Sequence, residues 1–243
     1  MGRPSRRLPL RGRPVLYSLA RIVIAPLLRL IYRPTIRGRG NVPRRGPVIL
    51  ASNHLSFIDS VVIALLSPRP VHFLAKDEYF TGTGVRGALT RLFSRLFFTT
   101  FGCIPVDRGA HRGAQASLGA AEQVLTGGRA FGIYPEGTRS LDGRLYRGRT
   151  GVAWLALATG APVVPVALTG TERLQPVGRR LPRYHRITVE FGMPLQCGHT
   201  RSELPPAQAR RAVTDRIVQA IGDLSGQEYA QTYGRAPAAE ARR

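Results

Sequence analysis

The sequence predicts one α/β domain with a mostly parallel central sheet that is covered by helices on both faces. Short apolar runs of strand length alternate along the chain with longer segments of helical periodicity. The chain has 243 residues, of which 43% are hydrophobic and 21% are charged. That length and composition suit a single globular domain with a full core, and they exclude a disordered chain or a polytopic membrane protein.

The chain begins with an arginine-rich segment, residues 1–14, which we interpret as a flexible cationic arm. The apolar segment that follows, 15–32, is interrupted by Arg21, Pro26 and Arg29, whereas a membrane-spanning helix needs roughly 20 uninterrupted apolar residues. As a helix it places its leucines and a valine on one face and its arginines on the opposite face. The apolar face comprises Leu16, Leu19, Val23, Leu27 and Leu30. This pattern favours a helix in a membrane interface with its arginines toward phosphate head groups, and the alternative is a core helix.

Apolar runs and turn residues predict the remaining elements in order. Strands are expected at 35–37, 48–51, 71–75, 102–106, 130–134, 163–168 and 186–191. Helices are expected at 56–66, 85–98, 112–125, 151–159 and 206–224. Gly127 and Gly128 end the third of these helices, and 141–149 is expected to be a basic loop with a turn at Asp142.

The charge balance is strongly basic, with 36 Lys and Arg against 14 Asp and Glu and a net charge of +22. Such a surface attracts nucleic acid, anionic lipid head groups or phosphorylated substrates. Almost all of these cations are arginines, whose planar fork donates two hydrogen bonds to one phosphate, although genomic codon bias would also enrich arginine. The two cysteines, Cys103 and Cys197, form neither a disulfide framework nor a metal cluster.

The first candidate site is His54 with Asp59, directly after the predicted strand 48–51. Histidine can take a proton from a hydroxyl near neutral pH, and a carboxylate bonded to its other ring nitrogen fixes the tautomer and stabilises the imidazolium. If a helix begins near Ser56, Asp59 lies in its first turn and can face His54. The alternative is a capping box in which Ser56 is the N-cap and Asp59 is the third helical residue.

The second candidate site is the stretch 136–139, directly after the predicted strand 130–134. A glycine there lets the backbone approach a ligand closely, and Arg139 can bind a phosphate through both arms of its guanidinium. Lys76 and Arg108 also stand just past strands, so a parallel sheet could bring all three cations to one edge. The alternative is that each is a solvated surface charge.

Taken together, these stretches resemble the glycerolipid acyltransferase family that includes the 1-acylglycerol-3-phosphate acyltransferases. The four matching blocks are 53–59 (NHLSFID), 102–108 (GCIPVDR), 134–140 (YPEGTRS) and 163–166 (VVPV). The first carries the family's His-x4-Asp signature. The second has Pro105 where an aromatic or aliphatic residue is commoner, and the third has Tyr134 where the family usually has Phe. The resemblance extends from about residue 37 to residue 192.

The resemblance implies acyl transfer from the thioester of acyl-CoA or acyl carrier protein to the hydroxyl of a lysophospholipid. The most common product in the family is phosphatidic acid, made from 1-acyl-glycerol-3-phosphate. The resemblance implies that His54 is the general base and Asp59 its orienting partner. It assigns the glycerol phosphate to Arg108, Glu136, Gly137, Thr138 and Arg139, with Lys76 as a helper. No metal and no bound cofactor is implied.

This interpretation divides the chain into the arm (1–14), an interfacial helix (15–33), an acyltransferase domain (34–234) and a frayed tail (235–243). It places the protein on the cytoplasmic face of an anionic membrane as a peripheral or monotopic enzyme. Three alternatives remain open at this point. The acceptor could be another lysophospholipid or a specialised lipid, the same base could activate water in a hydrolase, or the chain could be a basic membrane-binding or nucleic-acid-binding protein without catalysis. No specific nucleic-acid motif is found.

Overall fold

The computed structural model describes residues 14–76, 103–106, 110–176, 179, 181–198 and 204–235. The helices are α1 (Pro14–Tyr32), α2 (Asp59–Leu66), α3 (Ala110–Thr126), α4 (Gly151–Thr159), α5 (Thr171–Leu174) and α6 (Pro206–Ser225). The strands are β1 (Thr35–Arg37), β2 (Val48–Ser52), β3 (Val71–Lys76), β4 (Cys103–Val106), β5 (Ala130–Ile133), β6 (Leu145–Tyr146), β7 (Val163–Thr169), β8 (Thr188–Phe191) and β9 (Tyr229–Ala230).

Seven of these strands form one mixed sheet in the order β1-β8-β7-β2-β5-β3-β4. All described pairs in this sheet are parallel except β7 with β8, so the predicted mostly parallel sheet is confirmed. Strand β2 is central, and its Leu50 lies between Gly132 of β5 and Val164 of β7. The His54 loop (residues 53–58) therefore leaves the middle of the sheet at its carboxyl edge.

Alternate residues of β2 enter two separate cores, one on each face of the sheet. Val48 and Leu50 belong to the core that α1 and α2 cover. Ile49 and Ala51 belong to the core that α3, α4 and α6 cover. Successive side chains of a strand point to opposite faces, so a run that is apolar at every position requires cover on both sides. The three-layer architecture expected from the sequence is therefore confirmed.

The described elements differ from the predicted ones at the start of α2, at the short strands β6 and β9, and at the one-turn helix α5, which was not predicted. Helix α2 begins at Asp59, three residues later than predicted. The segment 141–149, expected to be a loop, contains β6, which pairs in parallel with β9 near the C-terminus. Two-residue strands show no periodicity in the sequence, and their existence depends on a partner found only in the tertiary structure. The predicted helix 85–98 lies outside the described residues, as do the arm up to residue 13 and the tail after residue 235.

Helix α1 covers the predicted N-terminal helical segment and packs directly on α2, and its contact with a membrane stays a prediction. The Tyr17 hydroxyl donates to the Ala64 carbonyl and accepts from the Val71 N–H, each at 3.2 Å. Leu28 is also buried against this core. The outward face leaves Leu27 50% and Leu30 71% exposed. An apolar surface therefore remains on the side of the domain that carries α2.

One arginine of α1 does not follow the prediction that these side chains point toward lipid head groups. The Arg21 guanidinium donates to the carbonyl of Ser67 at the end of α2, and Arg39 donates to the Leu66 carbonyl at 2.9 Å. The last carbonyls of a helix have no partners within the helix and carry partial negative charge, so they attract cations. Arg21 therefore faces the protein, whereas Arg29 is exposed.

No helix in the described part of the chain is both long enough and apolar enough to cross a bilayer.

The central position of Gly132 leads to a stability prediction. A Cβ at residue 132 would lie 2.2 Å from the buried ring of Phe73, whereas a Cβ at Gly119 of α3 would meet nothing within 4 Å. Gly132→Ala should destabilise the protein by about 1–3 kcal/mol because the core is overpacked. Gly119→Ala should be neutral or stabilise it by up to about 1 kcal/mol through helix propensity. Urea denaturation of both variants tests this, and equal unfolding midpoints would contradict it.

Candidate active site

The carboxylate of Asp59, in the first turn of α2, gathers the donors of the His54 loop. Its Oδ2 accepts hydrogen bonds from the His54 ring at Nδ1 (2.8 Å), from the Leu55 N–H (2.7 Å) and from the Ser56 N–H (2.8 Å). The Asp59 side chain is fully buried, while 18% of the His54 side chain is exposed. Because Asp59 occupies Nδ1, the other ring nitrogen, Nε2, is the one that can exchange a proton with a substrate.

The capping box considered for this stretch is formed only in part. Asp59 accepts from the Ser56 N–H, as the third helical residue of such a box would. The Ser56 hydroxyl, however, donates to the Gln175 carbonyl at 2.7 Å and not to the start of α2. Asp59 also accepts from the His54 ring, so its role exceeds that of a helix cap.

The ring of Tyr134 stacks on the imidazole of His54. The two ring centroids are 3.8 Å apart and the planes are 9° from parallel. The Tyr134 hydroxyl and the Ser60 hydroxyl are hydrogen-bonded at 2.8 Å, which ties the tyrosine to α2. The imidazole is therefore held at its edge by Asp59 and across its face by Tyr134.

Glu136 is buried and joins three parts of the chain through its carboxylate. Its Oε1 accepts from the His54 N–H at 3.0 Å, and its Oε2 accepts from the Tyr146 N–H at 2.9 Å. Burial raises the pKa of Glu136 to about 7, although these two N–H groups favour the charged form. The structure thus gives Glu136 a positioning role beside the His54 loop, and contact with a substrate phosphate stays a prediction.

Two further contacts fix the backbone on either side of the imidazole. The Asn53 side chain accepts from the Leu168 N–H at 2.8 Å and donates to the Leu168 carbonyl at 2.9 Å. It also donates to Gln227 at 2.7 Å. The Ser140 N–H donates to the His54 carbonyl at 2.8 Å. The Glu136 loop (residues 134–140) is therefore bonded to both the N–H and the carbonyl of His54.

The other predicted residues of the Glu136 loop lie at its turn. Gly137 has a φ of +74°, and a Cβ there would lie 2.9 Å from the Arg149 side chain, so glycine is required for both the turn and the approach of Arg149. Thr138 and Arg139 are half-buried. Arg139 lines a cleft beside the loop. Glu136 and Ser140, on either side of this turn, contact the His54 backbone, and phosphate binding by Gly137, Thr138 and Arg139 stays a prediction.

Lys76, Arg108 and Arg139 were predicted to converge at one edge of the sheet, and only the positions of the strands bear on this prediction. Lys76 ends β3, whose neighbours in the sheet are β5 and β4. The carboxyl ends of these strands therefore lie side by side, as the prediction requires. Arg108 lies outside the described residues, and the Lys76 side chain is not described, so their approach to Arg139 stays a prediction.

The sequence analysis assigned no role to Tyr134, Asn53 or Arg149. Tyr134 and Asn53 were within the motifs, but their contacts depend on which strands are neighbours. Arg149 had no local signal, because its position follows from the turn at Gly137. Within the described ranges, no three His, Cys, Asp or Glu side chains gather as a metal site would require.

Comparisons with known proteins agree with this geometry. The family model described as "Acyltransferase" matches residues 33–169, more than half of the chain. A chloroplastic 1-acyl-sn-glycerol-3-phosphate acyltransferase from Brassica napus is 31% identical over 60% of this chain and 40% of its own length. A 1-acyl-sn-glycerol-3-phosphate acyltransferase from Borreliella burgdorferi is 31% identical over 56% of this chain and 51% of its own length. The chain thus spans about half the length of these curated relatives.

A solved structure supports the fold. The crystal structure of PlsC, the 1-acyl-sn-glycerophosphate acyltransferase from Thermotoga maritima, superimposes with a TM-score of 0.60. The similarity covers 85% of this chain and 82% of that one at 22% sequence identity. The family match, the arrangement of the sheet and the order of the motifs lead to one conclusion: the chain belongs to the acyltransferase family.

Proposed function

We propose that the chain transfers a fatty acyl group from a thioester to the free hydroxyl of a lysophospholipid. The donor is acyl-CoA or acyl carrier protein, and the acceptor is 1-acyl-glycerol-3-phosphate, which gives phosphatidic acid. The observation that carries this proposal is the 2.8 Å hydrogen bond between His54 Nδ1 and the buried Asp59 carboxylate. Several relatives are 1-acyl-sn-glycerol-3-phosphate acyltransferases, which supports the choice of acceptor.

In the first step, His54 acts as the general base. Its Nε2 takes the proton of the acceptor hydroxyl while that oxygen attacks the thioester carbonyl, forming a tetrahedral oxyanion. The resulting imidazolium is stabilised by the carboxylate of Asp59. Tyr134, stacked at 3.8 Å, keeps the ring plane fixed during the transfer.

In the second step, the tetrahedral intermediate collapses. The carbonyl re-forms, the carbon–sulfur bond breaks, and the departing thiolate receives the proton from His54. The products are the acyl ester and the free thiol, and His54 returns to its neutral form. Because the base is regenerated, no covalent acyl-enzyme is required.

The acceptor phosphate is bound next to this base by the Glu136 loop. Arg139 supplies a forked cation, and the turn at Gly137 allows close approach of the backbone. Lys76 and Arg108 complete this set in the proposal. Glu136 supports the site indirectly, since its carboxylate holds the His54 N–H on one side and the Tyr146 N–H on the other.

We also propose that α1 rests on the surface of an anionic membrane. Its outward face exposes large apolar side chains, whereas its inward face packs on α2, which begins at Asp59. The exposed set is Ile22, Val23, Ile24, Leu27, Leu30 and Ile31. The acceptor is a membrane lipid, and the net charge of +22 attracts anionic head groups. The membrane would then lie on the face of the sheet that α1 and α2 cover. Asp59, the first residue of α2, is on this same face.

The function is tested by an acyl-transfer assay in mixed micelles. Labelled acyl-CoA, or acyl carrier protein loaded with the same chain, is offered with a panel of lysophospholipids. We expect phosphatidic acid from 1-acyl-glycerol-3-phosphate. His54→Ala should lower kcat by about 10²–10⁴-fold with the fold intact, because the proton-transfer group is gone.

Product analysis separates the remaining alternatives. Release of free fatty acid without diacyl product would show that the chain is a hydrolase. Equal turnover by the wild type and His54→Ala, at equal circular dichroism, would refute the general-base mechanism. Absence of both transfer and hydrolysis with either donor would refute the proposed activity.

The pKa of Glu136 predicts a pH effect on stability. The folded pKa of about 7 exceeds the ordinary value of 4.5, so the folded state retains this proton at pH values where the unfolded state has lost it. The free energy of unfolding should therefore fall as pH rises from about 4.5 to 7, by up to about 3 kcal/mol from this group. In Glu136→Gln this contribution is absent. Urea titrations at several pH values should give different slopes for the two proteins, and identical slopes would contradict the assignment.

Membrane contact is tested by replacing two exposed leucines of α1. Leu27→Ser with Leu30→Ser should weaken partitioning onto anionic vesicles by about tenfold or more, because two apolar side chains no longer enter the interface. Leu204→Ser is the control, since this exposed leucine precedes α6 on the opposite face of the sheet. Equal sedimentation of the α1 variant and the control with vesicles would refute contact through this face.

A further inference from the structure

The last described residues of the chain, 226–235, form a C-terminal strap across the Glu136 loop. Its strand β9 pairs with β6, and the Thr232 carbonyl accepts from the Arg147 N–H at 2.9 Å. Gly234 lies so close that a Cβ there would be 3.0 Å from the Thr138 methyl group. The strap lies beyond residue 169, where the family match ends. It therefore adds a wall to the candidate site that the motifs do not specify.

A cleft of about 310 Å³ lies between the strap and the segment 139–149. Its lining residues are Arg139, Leu141, Arg144, Tyr146, Thr232, Tyr233 and Arg235. Arg139 comes from the Glu136 loop, and Arg235 comes from the end of the strap. The two walls thus present cations to the same space.

Tyr233 lines this cleft, and its ring also contacts two arginines that stand beside the cleft and do not line it. The guanidinium carbon of Arg147 lies 5.4 Å from the ring centroid, and that of Arg149 lies 5.7 Å from it. Each contact is a cation–π interaction, which holds the guanidinium in place without neutralising its charge. Two like charges held beside one ring repel each other, and an anion bound between them removes that cost.

Two described carboxylates near the cleft, Asp142 and Glu136, are already engaged. Asp142 binds Arg144 at 2.8 Å and accepts from the Tyr146 hydroxyl at 2.8 Å. Glu136 is buried beneath the loop and accepts two backbone N–H groups. The described arginines 144, 147, 149 and 235 therefore outnumber these two described carboxylates. The cleft is suited to an anion with several oxygen acceptors.

We propose that this cleft binds a phosphate group of a substrate, with Tyr233 holding Arg147 and Arg149 in position. Guanidinium groups bind phosphate oxygens in pairs, and several together suit a dianion or a polyphosphate. The assignment of a substrate rests on the proposed acyl transfer, which offers two sources of phosphate. One is the pyrophosphate and 3′-phosphate of a CoA thioester, and the other is the head group of the acceptor lipid.

The test uses the full chain and measures binding separately from catalysis. Arg147→Gln with Arg149→Gln removes the two cations held on Tyr233 beside the cleft, and Tyr233→Leu removes the ring but no charge. Arg44→Gln with Arg45→Gln is the matched control, because both residues are exposed and precede β2 at the amino edge of the sheet. Titration calorimetry is run with CoA, adenosine 3′,5′-bisphosphate and glycerol 3-phosphate, and unfolding curves verify the fold of each variant.

We expect the double cleft variant to lose about tenfold or more in affinity for at least one probe, since each arginine makes charge-assisted hydrogen bonds to phosphate. Tyr233→Leu should lose affinity for the same probe by a smaller factor, and the control should change by less than about twofold. Weaker binding of CoA and the bisphosphate by the variant would show that the cleft binds the phosphates of the acyl donor. The KM for acyl-CoA should then be raised as well. Weaker binding of glycerol 3-phosphate assigns the acceptor head group, with a raised KM for the lysolipid.

Two results would overturn the proposal. In one, the cleft variants bind every probe as the wild type does, or the wild type binds none. In the other, the control loses as much affinity as the cleft variant, so that overall charge alone explains the binding. Because these titrations need no turnover, they stand even if the wild type transfers no acyl group, and that failure would count only against the proposed function.

Discussion

The rest of the candidate site depends on the buried carboxylate of Asp59. Removing a carboxylate from water costs several kcal/mol unless hydrogen-bond donors replace the water. One oxygen of Asp59 receives three donors, the His54 ring and the N–H groups of Leu55 and Ser56. These bonds offset the burial of Oδ2, whereas Oδ1 is buried without a hydrogen-bond partner among the described residues. The same bonds fix the turn between β2 and α2. The orientation of the imidazole therefore follows from the way the start of α2 is stabilised.

The neighbouring positions of β2 and β5 turn two separate motifs into one unit. Because these strands are parallel and adjacent, the His54 loop and the Glu136 loop leave the sheet side by side. Glu136 then accepts from the His54 N–H, Ser140 donates to the His54 carbonyl, and Tyr134 stacks on the ring. An imidazole held by this many contacts is preorganised, so the proposed proton transfer needs little rearrangement of the ring.

Two flanking elements outside the family match extend this unit in different directions. Helix α1 precedes residue 33 and exposes an apolar face, and the C-terminal strap follows residue 169 and carries cations. Each is attached close to the candidate site. Helix α1 is hydrogen-bonded to α2, and the strap carries Gln227, which is hydrogen-bonded to Asn53 next to His54. The proposed lipid contact and the proposed phosphate cleft thus lie in the first and the last elements of the described residues.

The sequence by itself determined the strand and helix alternation, the His54–Asp59 pair and the stretch 136–139, because each is a local pattern of period or spacing. The tertiary structure decided what those residues contact. Glu136 reaches the His54 N–H across 82 positions of the chain, and Arg21 turns to Ser67 across 46. The short strands β6 and β9 exist only because they meet. Such contacts follow from which strands become neighbours, and that choice is made by burial of the whole core, which no local stretch encodes.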